Sequence, residues 1–392
     1  MTFVTLSFLS FNMKHFLLFT LVLLSLSCKS EKKIDVVVIE TATKNMKFAK
    51  GFSIEKLATG VTIITLNSPW PNAEKGLRYA LVPREKITSI NLDKSLYDAI
   101  VLVPVKKLIV TSTTHIPVLE TLGIEHTLVG FPDTKYISSE KTRKLIDTGK
   151  VQELGVNGQL NTEMVIALKP DLVVGFSMSS QNKAYETLQR ANIPVVYNGD
   201  WIEETPLGKA EWIKFFAPFF GKEQAAEILF SEIEIAYTQA KALAQKATKK
   251  PTVMSGAIYK DVWYLPGGNS WAATFISDAN ANYIYSDTKE TGSLSLSWES
   301  VLERGQHADF WISPSQFTNY DKMLENSPHY QQFDAFRNKK IYSFASTTGA
   351  TGGVLYYELA PNRPDLVLKD LIHIFHPEMT PNYTPFFFKP LK

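Results

Sequence analysis

Short apolar runs alternate with amphipathic stretches through most of the chain, and the two periods separate cleanly. Lys107-Leu108-Ile109-Val110 reads as a buried strand, residues 116–122 carry helical spacing that stops at Gly123, and Thr127-Leu128-Val129-Gly130 is the next strand. Leu172-Val173-Val174-Gly175 and Pro194-Val195-Val196-Tyr197 are further strands, with a helix at 184–191 between them. The second half repeats the rhythm: strands at 252–255, 309–312 and 340–343, helices at 271–279 and around Glu299, and a last helix at 365–375 stopped by Pro377. Such alternation predicts a mainly parallel sheet flanked by helices in each half, hence an α/β protein of two Rossmann-like lobes. Between the halves, residues 222–249 hold neither Gly nor Pro, and Ala225, Ile228, Leu229, Ile233, Ala236, Ala240 and Leu243 fall near helical spacing. One long α-helix of roughly 40 Å, at about 1.5 Å per residue, is therefore expected to join the lobes. The predicted division is an N-terminal lobe at 51–221, a linking helix at 222–249 and a C-terminal lobe at 250–392. Residues 61–66 and 79–82 are β-type runs punctuated by Pro69, Pro71 and Pro83, so the N-terminal lobe should carry an extra β extension at its start.

The first residues have a different character. Met13-Lys14-His15 precedes an apolar run at 16–24 and then Ser25-Leu26-Ser27-Cys28. A run this short falls well below the roughly 20 residues that span a bilayer, so residues 1–28 are expected to form an export signal, with translation starting at Met13. Cys28 is the only cysteine and cannot form an internal disulfide. Its place resembles the lipidated cysteine of bacterial lipoproteins. Residues 29–50 are polar apart from Val36-Val37-Val38-Ile39 and predict a tether between anchor and folded body. The expected location is the cell envelope, lipid-anchored to a bacterial membrane and facing the periplasm.

Composition narrows the classes further. With 392 residues, 45% of them hydrophobic, the chain can bury two domains. A formal net charge of +2 without a long Lys/Arg run excludes a dedicated nucleic-acid binder, and residues 246–250 read as a solvated helix end.

One helix-opening pattern occurs in both halves. Leu160-Asn161-Thr162-Glu163-Met164-Val165 leads into Lys169-Pro170-Asp171-Leu172, and Leu296-Ser297-Trp298-Glu299-Ser300-Val301 leads into His307-Ala308-Asp309-Phe310. Asn161 and Ser297 can each cap a short helix, and the glutamate falls in the first turn, where the helix dipole favours an anion. Taken singly, such glutamates are ordinary helix-start residues.

Their context gives them a second reading. Val110-Thr111-Ser112-Thr113-Thr114-His115, Leu119-Glu120-Thr121-Leu122-Gly123-Ile124, Leu168-Lys169-Pro170-Asp171-Leu172-Val173, Trp263-Tyr264-Leu265-Pro266-Gly267-Gly268-Asn269-Ser270 and Arg363-Pro364-Asp365-Leu366 to His376-Pro377 follow one another in order. Over approximately residues 105–380 the chain resembles the solute-binding proteins of iron-siderophore, haem and vitamin B12 importers. That resemblance implies a monomer in which Glu163 and Glu299 grip arginines of an ABC permease, whose ATPase partner drives import. It implies a ligand cleft between the lobes, with Thr113, Thr114, His115, Phe176 and Trp201 on one side and Tyr259, Trp263, Trp271 and Tyr357 on the other. The cargo would be a metal chelate (a ferric siderophore or haem) or cobalamin. Ser293-Leu294-Ser295 stands where compact B12 binders place aromatics, which weighs against cobalamin. The extension at about 45–104 is longer than compact members carry.

No cofactor, no protein-held metal and no enzymatic activity are expected. His373 and His376 read as capping or packing residues of the last helix, and the glycines at 267–268 and 349–353 as tight turns approaching a ligand, resembling neither a Walker loop nor a nucleophile elbow. The competing class is a surface-anchored two-domain α/β hydrolase using the same cleft.

Overall fold

The computed structural model describes residues 44–156, 158–179 and 181–392. The export signal, Cys28 and most of the expected tether lie outside the described residues. The β extension is a five-stranded sheet of β1 (Lys44–Asn45), β2 (Phe52–Lys56), β3 (Thr62–Leu66), β4 (Leu77–Pro83) and β5 (Ala99–Val103), in chain order. It is antiparallel until β4 and β5, which run parallel. Its strands alternate in period 2. Phe52, Ile64, Leu66, Tyr79 and Leu81 join the N-terminal core, while Ile63, Ala80 and Val82 form a small second core under Ile90, Leu92 and Tyr97 of the β4–β5 crossover.

The N-terminal lobe then runs through β6 (Leu108–Val110), α1 (His115–Thr121), β7 (Leu128–Phe131), α2 (Glu140–Asp147), β8 (Gln152–Glu153), the pair β9 (Gly155–Val156) and β10 (Gln159–Leu160), α3 (Thr162–Leu168), β11 (Leu172–Gly175), α4 (Lys183–Arg190) and β12 (Val195–Tyr197). Its sheet is parallel throughout, in the order β12-β11-β6-β7-β8. Every residue of β6 and β11 is buried, as their unbroken apolar runs require in a sheet covered on both faces. After α5 (Pro206–Glu211) and α6 (Ile213–Phe216) comes α7 (Glu223–Ala244), the link to the second lobe.

The C-terminal lobe holds β13 (Thr252–Ser255), β14 (Ala257–Tyr259), β15 (Val262–Pro266), α8 (Trp271–Asp278), β16 (Asn282–Tyr283), β17 (Ser293–Leu296), α9 (Trp298–Gly305), β18 (Phe310–Ile312), α10 (Tyr320–Asn326), α11 (Asp334–Arg337), β19 (Ile341–Ser343), α12 (Leu355–Leu359), α13 (Pro364–Phe375) and β20 (Lys389–Pro390). Its main sheet, β16-β13-β18-β19-β20, is parallel except for β20, and β14-β15-β17 form a separate antiparallel sheet. Each lobe ties neighbouring strands with an aspartate at a strand start. Asp171 accepts the Lys106 and Lys107 N–H groups at 2.8 and 3.0 Å, and Asp309 accepts the Thr252 N–H at 2.8 Å and its hydroxyl at 2.9 Å.

Two expectations change. The linking helix ends at Ala244, five residues before the expected limit, which makes it about 33 Å long. Its buried stripe is Ala226, Phe230, Tyr237, Ala240 and Ala244, and Ile228 of the expected stripe is 54% exposed. The helix must serve both lobes, so its inward face is set by two cores rather than by its own most apolar side; Ile233 packs against both. The tether also ends early. The Glu211 carboxylate accepts the N–H groups of Lys47, Phe48 and Ala49 at 3.0, 2.7 and 2.9 Å, and Glu203 accepts those of Lys50 and Gly51 at 2.8 Å each. Phe48 packs against both lobe cores. Residues 47–51 are thus strapped to the junction of the lobes. Among the described residues no helix is long and apolar enough to cross a membrane.

Candidate functional site

Strand–helix units leave their variable loops at the carboxyl ends of the parallel strands, and in open α/β sheets ligands bind there. In the N-terminal lobe Thr111, Ser112 and Thr113 follow β6, Phe131 closes β7 and Pro132 follows it, and Phe176 follows β11. These groups line one cavity of about 400 Å³, whose far side is Gly353, Val354 and Tyr357 of the other lobe. In the C-terminal lobe Ser255 ends β13, Ser313 follows β18 and Phe344 follows β19. Together with Tyr259, Tyr264, Trp271 and Tyr357 they line a second cavity of about 640 Å³. Tyr357 belongs to both, half-exposed, with its hydroxyl held by Gln316 Nε2 at 2.7 Å. The two cavities thus meet at Tyr357: the first lies between the lobes, and the second opens beside it within the C-terminal lobe. Rings and hydroxyls predominate in their walls, Asp133 is the one carboxylate, and neither lining includes a histidine.

The sequence candidates fare unequally. Thr113, Phe176, Tyr259, Trp271 and Tyr357 line the cleft. Thr114 is turned to the lobe junction: its hydroxyl donates to Asp200 Oδ2 at 3.0 Å and its carbonyl accepts from Asn362 of the other lobe at 2.9 Å. Trp201 is exposed after β12 and lines neither cavity; its carbonyl and that of Asp200 accept from Lys209 Nζ at 3.0 Å each. Lys209 is buried, which lowers its pKa against the pull of Asp200 and Glu203, and its ammonium sits 5.3 Å from the Trp271 ring.

His115 and Trp263 require correction. His115 opens α1 instead of lying in a loop, is fully buried, and packs on Phe216 at 5.1 Å. Burial draws its pKa down against the nearby Asp200 carboxylate and the Asn198 side chain, so the imidazole is neutral. Trp263 is fully buried too, stacked 5.2 Å from Trp311 with its indole N–H on the Ser255 carbonyl at 3.0 Å. Of β15 it is Tyr264, Leu265 and Pro266 that line the second cavity, and Tyr264 points opposite to its neighbour Trp263 because successive strand side chains alternate. Tyr356, within the 349–357 loop that the sequence offers as cleft wall, is stacked 4.2 Å from Phe344, a further wall residue that the sequence reading missed.

Gly349 and Gly353 sit where the lobes approach each other, and Gly353 also lines the first cavity. A Cβ on Gly349 would stand 2.6 Å from Ser138 Cα, and one on Gly353 2.6 Å from the Tyr136 carbonyl. His376 is buried with Nε2 on the Ala279 and Asn280 carbonyls at 3.1 and 3.3 Å, and His373 reaches Thr380 at 3.1 Å, so both work in packing. Away from these loops, Glu163 and Glu299 are exposed in the first turns of α3 and α9. Asn161 and Ser297 cap those helices by accepting the Met164 and Ser300 N–H at 3.0 and 3.3 Å. Neither carboxylate has an ion pair among the described residues.

The profile of the periplasmic binding proteins matches residues 108–348, more than half of the chain. The chain belongs to the periplasmic binding protein family. An uncharacterized lipoprotein of Methanocaldococcus jannaschii is 28% identical to this binding protein over 287 residues, 70% of this chain and 66% of the relative, so the alignment spans just under two thirds of that relative's length. A periplasmic heme-binding protein of Vibrio cholerae shares the fold at TM-score 0.52 and 20% identity, covering 67% of this chain and 99% of its own. A periplasmic binding protein of Veillonella parvula superposes at TM-score 0.59 and 17% identity over 89% of this chain and 98% of its own. That span is wider than the family-matched stretch of this binding protein.

Proposed function

We propose that this periplasmic binding protein captures a metal chelate in the inter-lobe cleft and delivers it to the permease of an ABC importer. The observation that carries the reading is Tyr357, shared by two cavities that each mix aromatic rings with hydroxyls. Aromatic faces take up a large flat or amphipathic body and hydroxyls orient its polar edge. Haem or a ferric siderophore has that shape; cobalamin is the third candidate and is disfavoured because the small Ser293 stands in the wall. The heme-binding protein that shares the fold and the lipoprotein relative support the same reading. Lipidation of Cys28 would hold the protein at the membrane, and Glu163 and Glu299 would pair with permease cations. A hydrolase reading has less behind it: neither lining pairs a serine with a histidine, and Asp133 is the one carboxylate in the first cavity.

The test is titration of the purified protein with haemin, a ferric catecholate and cyanocobalamin, followed by tryptophan fluorescence. Trp271 lies in the wall, so a bound chromophore should quench it, and Trp271→Ala should remove most of that quenching while weakening affinity roughly tenfold, within the energy of one lost aromatic contact. Absence of binding by all three probes, or hydrolytic turnover at the cleft, would overturn the reading.

A further inference from the structure

The C-terminal lobe reaches across the cleft through α12 and the segment before it. Glu358 of α12 is 2% exposed, and its carboxylate lies on the other lobe: Oε2 accepts the Ser138 N–H at 2.6 Å and Oε1 the Ser139 N–H at 3.1 Å. Ser139 is the N-cap of α2, its own Oγ accepting from the Lys141 and Thr142 N–H groups at 3.2 and 3.4 Å. Helix starts expose unpaired N–H groups that need an acceptor; here the accepting carboxyl comes from the opposite lobe. Ser138 Oγ donates to the Gly353 carbonyl at 3.0 Å and Thr351 Oγ1 to that of Lys135 at 2.7 Å. Because Gly353, Val354 and Tyr357 line the cleft, whatever holds Glu358 also sets the cleft wall.

A second carboxylate meets the same serine. Glu120 of α1 accepts from the Ser139 and Thr142 hydroxyls, each at 2.5 Å. The cations on the surrounding elements are engaged elsewhere: Lys141 with Glu125 at 2.6 Å, Arg143 with Asp147 at 3.3 Å, and Lys135 with Asp133 at 3.6 Å. Burial pushes the Glu358 carboxyl up to about 7; the Ser138 and Ser139 N–H groups pull it down, and Glu120 adds to the rise.

We propose that Glu358 is a positioning residue for cargo capture, a proton-linked latch that holds the 349–357 segment, and with it Tyr357, against the N-terminal lobe. It rests on the reading of the cleft as the cargo site. When the segment is released, Glu358 regains water and titrates as an ordinary carboxyl; when latched, it holds its proton more tightly. Latching therefore takes up a proton. It is favoured as pH falls through about 7 toward the ordinary carboxylate range, and it weakens as pH rises through about 7, where an ionised carboxylate must stay dry beside Glu120.

The experiment measures inter-lobe distance without cargo, by electron–electron resonance between spin labels at Lys144→Cys and Lys322→Cys in a Cys28→Ala background. Between about pH 6 and about pH 8 the ratio of latched to released protein should fall about tenfold in all, most of it below about pH 7, and level off above that. Glu358→Gln keeps the shape without the charge and should abolish the pH dependence. Glu120→Gln should move the midpoint to lower pH. A pH-independent wild type, or a Glu358→Gln variant with the wild-type transition, overturns the latch. Haemin titration on the same samples separates the two proposals: a pH transition without binding of any probe sinks the cargo reading alone, and binding without a transition sinks the latch alone.

Discussion

Asp171 and Asp309 do the same work in the two lobes. Each follows a short capped helix with an exposed glutamate in its first turn, and each ties the start of a buried strand to its neighbour. The lobes part at the face they turn to the cleft. The N-terminal wall consists of turns directly after parallel strands and presents Thr111, Ser112 and Thr113. The C-terminal wall includes the inserted antiparallel sheet β14-β15-β17, which brings Tyr259 and Tyr264 beside Trp271. Scaffold and outward carboxylates repeat, while the cavity linings do not: the N-terminal lobe sets Phe131 and Phe176 beside its threonines, and the C-terminal lobe gathers a larger group of rings around Ser255 and Ser313.

The largest expected effect tests the repeated part. Glu163→Arg combined with Glu299→Arg should abolish cargo uptake in cells that have no other importer, with each single reversal milder. Cargo affinity and melting temperature should stay near wild type, because both carboxylates are exposed and unpaired among the described residues. Reversal replaces attraction by like-charge repulsion at both ends, so raised salt should weaken wild-type docking as well. A single reversal as severe as the pair would show that one lobe docks alone, and wild-type uptake by the double variant would return both residues to plain helix-start glutamates.

Next in size is a contrast within the C-terminal lobe. Trp263→Ala removes an indole stacked on Trp311 and should cost about 3–5 kcal/mol of stability. Trp271→Ala removes a half-buried wall residue and should cost clearly less while impairing cargo binding. Urea denaturation of both variants checks this, and an equal loss for the two would mean that Trp271 is core as well.

That pair also shows what could be read from the sequence. The strands were legible because burial on both faces writes an unbroken apolar run, as in Leu172–Gly175. The shared helix–strand units were legible because their cap and first-turn residues are local. The C-terminal wall was less so: within Val262–Pro266 a one-residue choice of face decides between Trp263 and Tyr264, and that face is set by which sheet covers the strand. His115 was misplaced for a similar reason, since only the packing of α6 against α1 reveals that Phe216 covers it. The strap at 47–51 and the Glu358 contact were invisible. Their backbone N–H groups are satisfied by carboxylates more than 150 residues away, and no local period records such a pairing.

The smallest expected effect separates the two aspartates. Arg84, from the β extension, pairs with Asp171 at 2.8 Å, whereas Asp309 relies on Thr252. Burial pushes Asp171 upward, but the Arg84 guanidinium and the Lys106 and Lys107 N–H groups outweigh it and hold the carboxyl below its ordinary range. A depressed folded-state value means that the stabilisation is fully present above the ordinary carboxylate range and is lost as pH falls through the lower folded value. Both partners remain partly exposed, so Arg84→Ala should cost only about 0.5–1 kcal/mol at neutral pH, since solvent screens such pairs. In urea denaturation the gap between wild type and variant should close as pH falls through the depressed value of the Asp171 carboxyl, where it takes up a proton and no longer needs the guanidinium. A gap that persists in acid would mean that Arg84 acts instead through its Nε bond to the Pro104 carbonyl, at 3.0 Å. The extension would then be joined to the lobe by geometry that the C-terminal half has no counterpart for, rather than by charge.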